Sequence, residues 1–219
     1  MYERIKKLNP NISLITTNDK EFRRYGQVID KHDFIKAKKY VDEKIEIDQD
    51  RIVYEPSNEH LESLKAYVEF ENEIFGGMAI QMGICYGKNR RINMLEYHKS
   101  SEVFIAITPC VIFFGTQENM NNNTYDSENL TGVFLNKYEA IEIFGSVIHT
   151  APLHVLDEGF KGIPIIIKGS NVAYDNNASK DGENLISFGR NKWAIVHEDF
   201  ENKRGRYVGL VGENKEIKY

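Results

Sequence analysis

Leu95-Glu96-Tyr97-His98-Lys99-Ser100-Ser101-Glu102-Val103-Phe104-Ile105 is the stretch on which the reading of this chain turns. Side chains two apart on a strand share a face. A strand over Asn93 to His98 therefore sets Glu96 and His98 side by side, with Tyr97 and Lys99 turned away. Lys99-Ser100-Ser101 suits a turn, and a hairpin there returns Glu102, at the head of the apolar run Val103 to Phe114, to the same neighbourhood. Further on, Gly145-Ser146-Val147-Ile148-His149 follows another alternating strand and supplies a second imidazole. Taken singly, each of these residues is more often a hydrogen-bonded structural group or a solvated charge than a ligand. Taken together, Glu96, His98, Glu102 and His149 make a mixed imidazole and carboxylate set that suits Mn²⁺, Fe²⁺, Ni²⁺ or Zn²⁺. For Glu96 two roles are open: a metal ligand or, instead of that, a catalytic base.

Working outward, the chain from Met78 onward alternates short runs of Ile, Val, Phe and Tyr with Gly, Asn and Asp clusters. Strands are expected at Ala79–Cys85, Asn93–His98, Val103–Phe114, Leu130–Asn136, Ala140–Phe144, Ile163–Ile167 and Trp193–His197. Polar loops are expected at Gln117 to Glu128, as a surface excursion, and at Tyr174 to Glu183. Before Met78 the texture is helical. Lys31 to Ile45 spaces Phe34, Ala37, Val41 and Ile45 as an amphipathic helix does. Ser57 to Phe70 reads as a second helix, capped by Ser57, with Leu61, Leu64 and Val68 as its apolar stripe. The fold class is mainly β, a barrel or sandwich carrying N-terminal helices on its outside. No linker divides the chain, so residues 1–219 are expected to form one domain: a helical extension (1–77), a barrel core (78–170) and C-terminal strands (171–219).

Composition bounds the function classes. The chain has 219 residues, 41% hydrophobic and 28% charged, enough for a sizeable core without disulfide staples. Its 28 basic residues against 33 acidic ones give a net charge of -5, which weighs against a nucleic-acid binder. No run is long and apolar enough for a bilayer helix, and the opening Met1-Tyr2-Glu3-Arg4 lacks a secretory core, so a cytoplasmic protein is expected. Cys85 and Cys110 can form at most one bridge, and Cys85 on its apolar strand reads as a small buried hydrophobe. Walker, dinucleotide and Ser-His-Asp signatures are absent.

The motifs resemble those of the cupin superfamily. There a first motif of His-x-His, three or four residues and Glu is followed by a second motif ending in His. This chain has Glu96-x-His98-x-x-x-Glu102, with glutamate in place of the leading histidine, and His149 in the closing position. Phe22-x-x-Tyr25-Gly26-x-Val28-Ile29, the hairpin around Leu95 to Ile105, and Phe134-Leu135 with Ala151-Pro152-Leu153 are similar to the ureidoglycolate lyase branch and to an uncharacterised bacterial cupin family.

The resemblance implies a double-stranded β-helix, or jelly roll, with a divalent metal ion and a small-molecule substrate. It also implies a homodimer. Two activities follow from it: isomerase-type chemistry on a sugar or sugar phosphate, or lyase chemistry on a ureido or hydroxy acid. A ligand-sensing cupin without activity is the third reading. Lys88 and Arg90, beside Arg91, and His154, just after His149, are the candidates for substrate binding.

Overall fold

Buried strands with two covered faces lose the alternation that marks a half-exposed strand, and this chain is built largely from such strands. Its computed structural model describes residues 1–30, 34–47, 50–175, 179–201 and 205–219. The helical N-terminal part contributes helix α1 (Tyr2–Leu8), strands β1 (Leu14–Thr16) and β2 (Gly26–Val28), helix α2 (Ile35–Lys44) and strand β3 (Val53–Glu55). Two short helices follow, α3 (Glu59–Glu62) and α4 (Lys65–Glu69), the latter running into a π turn over Phe70–Ile74. Next come β4 (Ile80–Met82), β5 (Ile84–Gly87), β6 (Met94–Tyr97), β7 (Glu102–Ala106) and β8 (Cys110–Gly115). Then follow β9 (Tyr125–Asp126), β10 (Thr131–Leu135), β11 (Ala140–Ile143), β12 (Ile148–His149), β13 (Leu153–His154) and β14 (Phe160–Ile167). The last strands are β15 (Ser187–Gly189), β16 (Lys192–His197) and β17 (Tyr207–Val211).

These strands form two sheets. One has ten strands, ordered β1-β10-β8-β12-β6-β16-β17-β9, with β13 beside β8 and β15 beside β16. The other has seven, ordered β2-β11-β7-β14-β5-β3, with β4 on β14. Between them Phe104, Ile141 and Ile143 meet Ile112, Phe114, Val133 and Leu135. The outer face of the seven-stranded sheet, with Ile80, Met82, Val103, Ile105, Ile163 and Ile165, lies under Phe34, Val41, Leu61 and Phe70 of the helical segment. The outer face of the ten-stranded sheet, with Leu95, Tyr97, Phe113 and Ile195, is covered by Ile5 of α1 and Ile217 near the C-terminus. The result is the mainly β architecture that the sequence implies, two facing sheets with helices on the outside.

Several boundaries differ from the sequence reading. The run Val103 to Phe114 is two strands in two sheets, because Pro109 has no N–H for a ladder and the chain crosses at Ile107–Pro109. Gly83 likewise splits Ala79–Cys85, its Cα lying too close to the Glu55 carbonyl to carry a side chain. The helix expected from Lys31 begins at Ile35, and Lys31 itself lies outside the described residues. Ser57–Phe70 is broken at Ser63–Leu64, and its cap is Asn58, whose side chain accepts from Leu61 N at 3.2 Å, while Ser57 bonds Glu62. The break shifts the helical phase, so Ala66 turns inward and Val68 is exposed. Gln117 to Glu128 is no loose excursion: Tyr125 is fully buried and β9 pairs with β17. The loop from Tyr174 lies partly outside the described residues. No described helix is long and apolar enough to cross a membrane.

Candidate metal centre

The four residues picked out in the sequence do converge, but not through hairpins. β6 and β7 belong to different sheets, so Lys99–Ser101 carries the chain from one sheet to the other. β11 and β12 are divided in the same way, with Gly145-Ser146 as the crossing. Facing sheets aim their inward side chains at one another, so convergence comes from opposed faces rather than from neighbouring strands. The two crossings brace each other. Ser146 N donates to His98 O at 2.6 Å, and a Cβ on Gly145 would sit only 3.0 Å from Lys99 O. Within the ten-stranded sheet His149 is directly paired with Glu96. Across the gap Glu102 opens β7, on the face of Phe104 and Ala106.

His98 Nε2 lies 3.2 Å from Glu102 Oε2 and 3.9 Å from Glu96 Oε1. His149 Nε2 lies 3.9 Å from each of those same oxygens. Ligands bonded at about 2.0–2.3 Å to one ion stand roughly 3–4.5 Å apart, so these separations fit a shared cation. Glu96, His98 and His149 each offer a donor atom within 4.8 Å of the other two. Each imidazole is held from behind by a main-chain carbonyl: Asn191 O at 2.6 Å for His98 Nδ1 and Val147 O at 3.1 Å for His149 Nδ1. A carbonyl only accepts, so Nδ1 carries the proton, and in the neutral rings Nε2 is left as a lone pair. Both Nε2 atoms are buried; His149 Nε2 has no hydrogen bond, while the nearest group to His98 Nε2 is the Glu102 carboxylate.

The electrostatics differ from residue to residue. Burial would raise the Glu96 carboxyl, but the Lys192 ammonium, helped by His98 and His149, holds it down at about 2. For His98, burial works against the charged ring, and the Glu102 carboxylate outweighs it, leaving the proton affinity above the usual imidazole value. His149 goes the other way, lowered by burial. Tyr54 on β3 is raised by burial and by the negative charge of Glu102 and Glu96; its hydroxyl accepts from Asn171 Nδ2 at 2.9 Å. Burial pushes both cysteine thiols up, and both are free.

Lys192 and Asn191 escape the sequence reading. Lys192 starts β16, on the face of Ala194, which is paired with Glu96, and its ammonium contacts Glu96 Oε2. The signal available in the sequence is a lysine in step with inward Ala194 and Val196. Two carboxylates in one place suggest mutual repulsion and raised carboxyl values; Lys192 reverses this for Glu96. The other candidates go elsewhere. His154 pairs with Cys110 at the far end of β8 from Phe114, the partner of His149. Its ring binds the Asn89 backbone and packs on Tyr219. Lys88 pairs with Asp50 at 3.2 Å and Arg90 with Glu216 at 3.1 Å. Lys88 is thus engaged by the N-terminal part and Arg90 by the C-terminal segment.

Fold and site together define a mainly β protein of two facing sheets with a buried imidazole–carboxylate cluster between them. Residues 14–215 match the family described as a domain of unknown function, DUF4867, and the chain belongs to that family. No curated protein matches it. Among solved structures it is similar to Bacillus subtilis oxalate decarboxylase, studied for its Mn(II) centers, at 8% identity and a TM-score of 0.34, over 57% of this chain and 28% of that one. A mutant of the same enzyme gives 9% identity and a TM-score of 0.32, over 44% of this chain and 24% of that one. This chain therefore spans only about a quarter of those chains. So partial an overlap carries no chemistry across.

Proposed function

We propose that this protein is a metal-dependent cupin enzyme, cytoplasmic and homodimeric, that performs isomerase-type chemistry on a small polyhydroxy or keto compound. The observation that carries the reading is the convergence of two buried imidazole nitrogens, His98 Nε2 and His149 Nε2, on the space that Glu96 Oε1 and Glu102 Oε2 also reach. His98, His149, Glu96 and Glu102 would hold a divalent ion of the Mn, Fe, Ni or Zn type. Such an ion, when bound, polarises a substrate carbonyl and acidifies the neighbouring hydroxyl or C–H.

The chain's own residues supply the rest. Asn191 O and Val147 O fix the two rings in one tautomer and orientation. Lys192 keeps Glu96 ionised and so suited to bind a cation; if Glu96 is not a ligand, it is the group that would shuttle the substrate proton. The apolar lining of Phe114, Val147 and Ile143 limits the water that competes for the reacting groups. The same residues also suit a lyase acting on a ureido or hydroxy acid.

Purified protein should retain close to one divalent ion per chain by elemental analysis. His98→Ala and His149→Ala should each lower retention at least a hundredfold while leaving the circular dichroism of the β core unchanged. Wild-type protein that binds none of the four metals at micromolar concentration sinks the reading. Product analysis with aldoses and ketoses, against ureidoglycolate, separates the isomerase from the lyase.

A further inference from the structure

We infer that Lys192 is an internal counter-charge of the metal centre that leaves the loaded site with a net positive charge, so that the substrate class is an anion: a hydroxy or keto acid whose carboxylate sits beside the reacting carbon. The inference rests on the metal reading above and, within it, favours an acid substrate over a neutral sugar. Glu96 is shared between two partners. Its Oε2 contacts Lys192, while its Oε1 faces both histidine Nε2 atoms. The side chains of Lys192 and Glu96 are each only 14% exposed. A charge so far removed from water persists only when it is paired. Glu96 is the one ion-pair partner of Lys192 among the described residues. An ammonium has three donors, so the lysine keeps hydrogen-bonding capacity for a ligand oxygen.

Counting charge makes the consequence plain. With both histidines neutral, Glu96 and Glu102 carry two negative charges and Lys192 cancels one. A divalent ion then leaves a single positive charge; without Lys192 the loaded site would be neutral. In a site this buried, a residual positive charge draws in an anionic ligand and gives a neutral polyol little advantage over water. Lys192 thereby takes over the task of keeping the site cationic, which Glu96 would otherwise undo.

The test uses the full-length chain stripped by chelation and titrated with Mn²⁺ alone, then the Mn²⁺-loaded protein titrated with glycolate and with ethylene glycol. Lys192→Met should bind Mn²⁺ at least tenfold tighter than wild type, because a neighbouring positive charge is gone. The loaded wild type should bind glycolate at least tenfold tighter than loaded Lys192→Met does, and ethylene glycol should bind neither measurably. Lys192→Arg, which keeps the charge, should follow wild type in both titrations. Equal or weaker Mn²⁺ binding by a folded Lys192→Met overturns the counter-charge, and so does glycolate affinity that is indifferent to residue 192. Lys192→Gln takes the same measurements if the methionine variant does not fold. Wild type that takes up no divalent metal overturns the metal reading itself, and this inference with it.

Discussion

Asn191 holds together three segments that are distant in the sequence. It stands at φ 55, a left-handed conformation that asparagine tolerates better than most residues. Its Oδ1 accepts from Lys99 N at 3.0 Å, and its Nδ2 donates to Ser100 Oγ at 2.8 Å and Ser170 Oγ at 3.0 Å. Its carbonyl meanwhile orients His98. Asn191→Ala loses the side-chain bonds and strains the backbone, at about 1 kcal/mol for each, so a loss of about 3–4 kcal/mol is expected. Asn191→Gly loses the bonds but relieves the strain, and should be about 1 kcal/mol less damaging. Urea unfolding of both variants checks the order, and an alanine variant as stable as wild type would remove Asn191 from the scaffold of the site. The residues that sequence reading does find, Glu96, His98, Glu102 and His149, lie close to crossings whose polar turns are visible in the text. Asn191 and Lys192 are not legible in the same way. Their roles depend on β16 pairing with β6, a long-range register that neither local propensity nor spacing encodes.

At the scale of elements, α2 is pinned to the barrel by Asp42. Its carboxylate accepts from Lys137 Nζ at 2.8 Å and from the Tyr138 hydroxyl, and its main-chain carbonyl takes Lys161 Nζ at 3.0 Å. Tyr138 is itself left-handed, at φ 68, and is held there by its N–H donating to Ala106 O at 2.6 Å. Burial would raise the Asp42 carboxyl, but its bonds from Lys137 and Tyr138 prevail and hold it below the ordinary aspartate value. A depressed acid stabilises the fold above its unfolded value and loses that contribution as pH falls through the folded one. Asp42→Asn should therefore cost about 1 kcal/mol at neutral pH. The gap between variant and wild type should narrow as pH falls below the ordinary aspartate value and through the lower folded one. Urea midpoints collected from neutral to strongly acidic pH decide it, and a gap that does not change with pH would show that charge is not what pins the helix. Elements of this kind are only partly legible. Long β runs announce themselves, but β7, β8 and β10 are buried along their whole length, so alternation cannot show where one sheet ends and the next begins. β12 and β13, at two residues each, are too short to carry any periodicity.

For the molecule as a whole, we propose that the helical extension, barrel core and C-terminal strands unfold as one unit. The N-terminal part is threaded through both sheets. β1 runs parallel to β10, β2 pairs with β11, and β3 pairs with β5. The two ends of the chain are also tied, since Asn9 Nδ2 donates to Lys218 O at 2.7 Å and Asn9 Oδ1 accepts from Lys218 N at 2.9 Å. Deleting residues 1–75 would uncover Ile80, Met82, Ile84, Val103, Ile105, Ile163 and Ile165 together. At about 1.5–3 kcal/mol for each large apolar side chain returned to water, the loss matches or exceeds the roughly 5–15 kcal/mol that holds a typical domain folded. The same deletion opens β10, β11 and β5 as unpaired edges, which are templates for aggregation. A fragment of residues 76–219 should therefore be recovered in the insoluble fraction, and after refolding should elute as aggregate on size exclusion. A monodisperse fragment with the β-sheet dichroism of the full chain would mean that the barrel core is self-sufficient and that the N-terminal part is a separable cover.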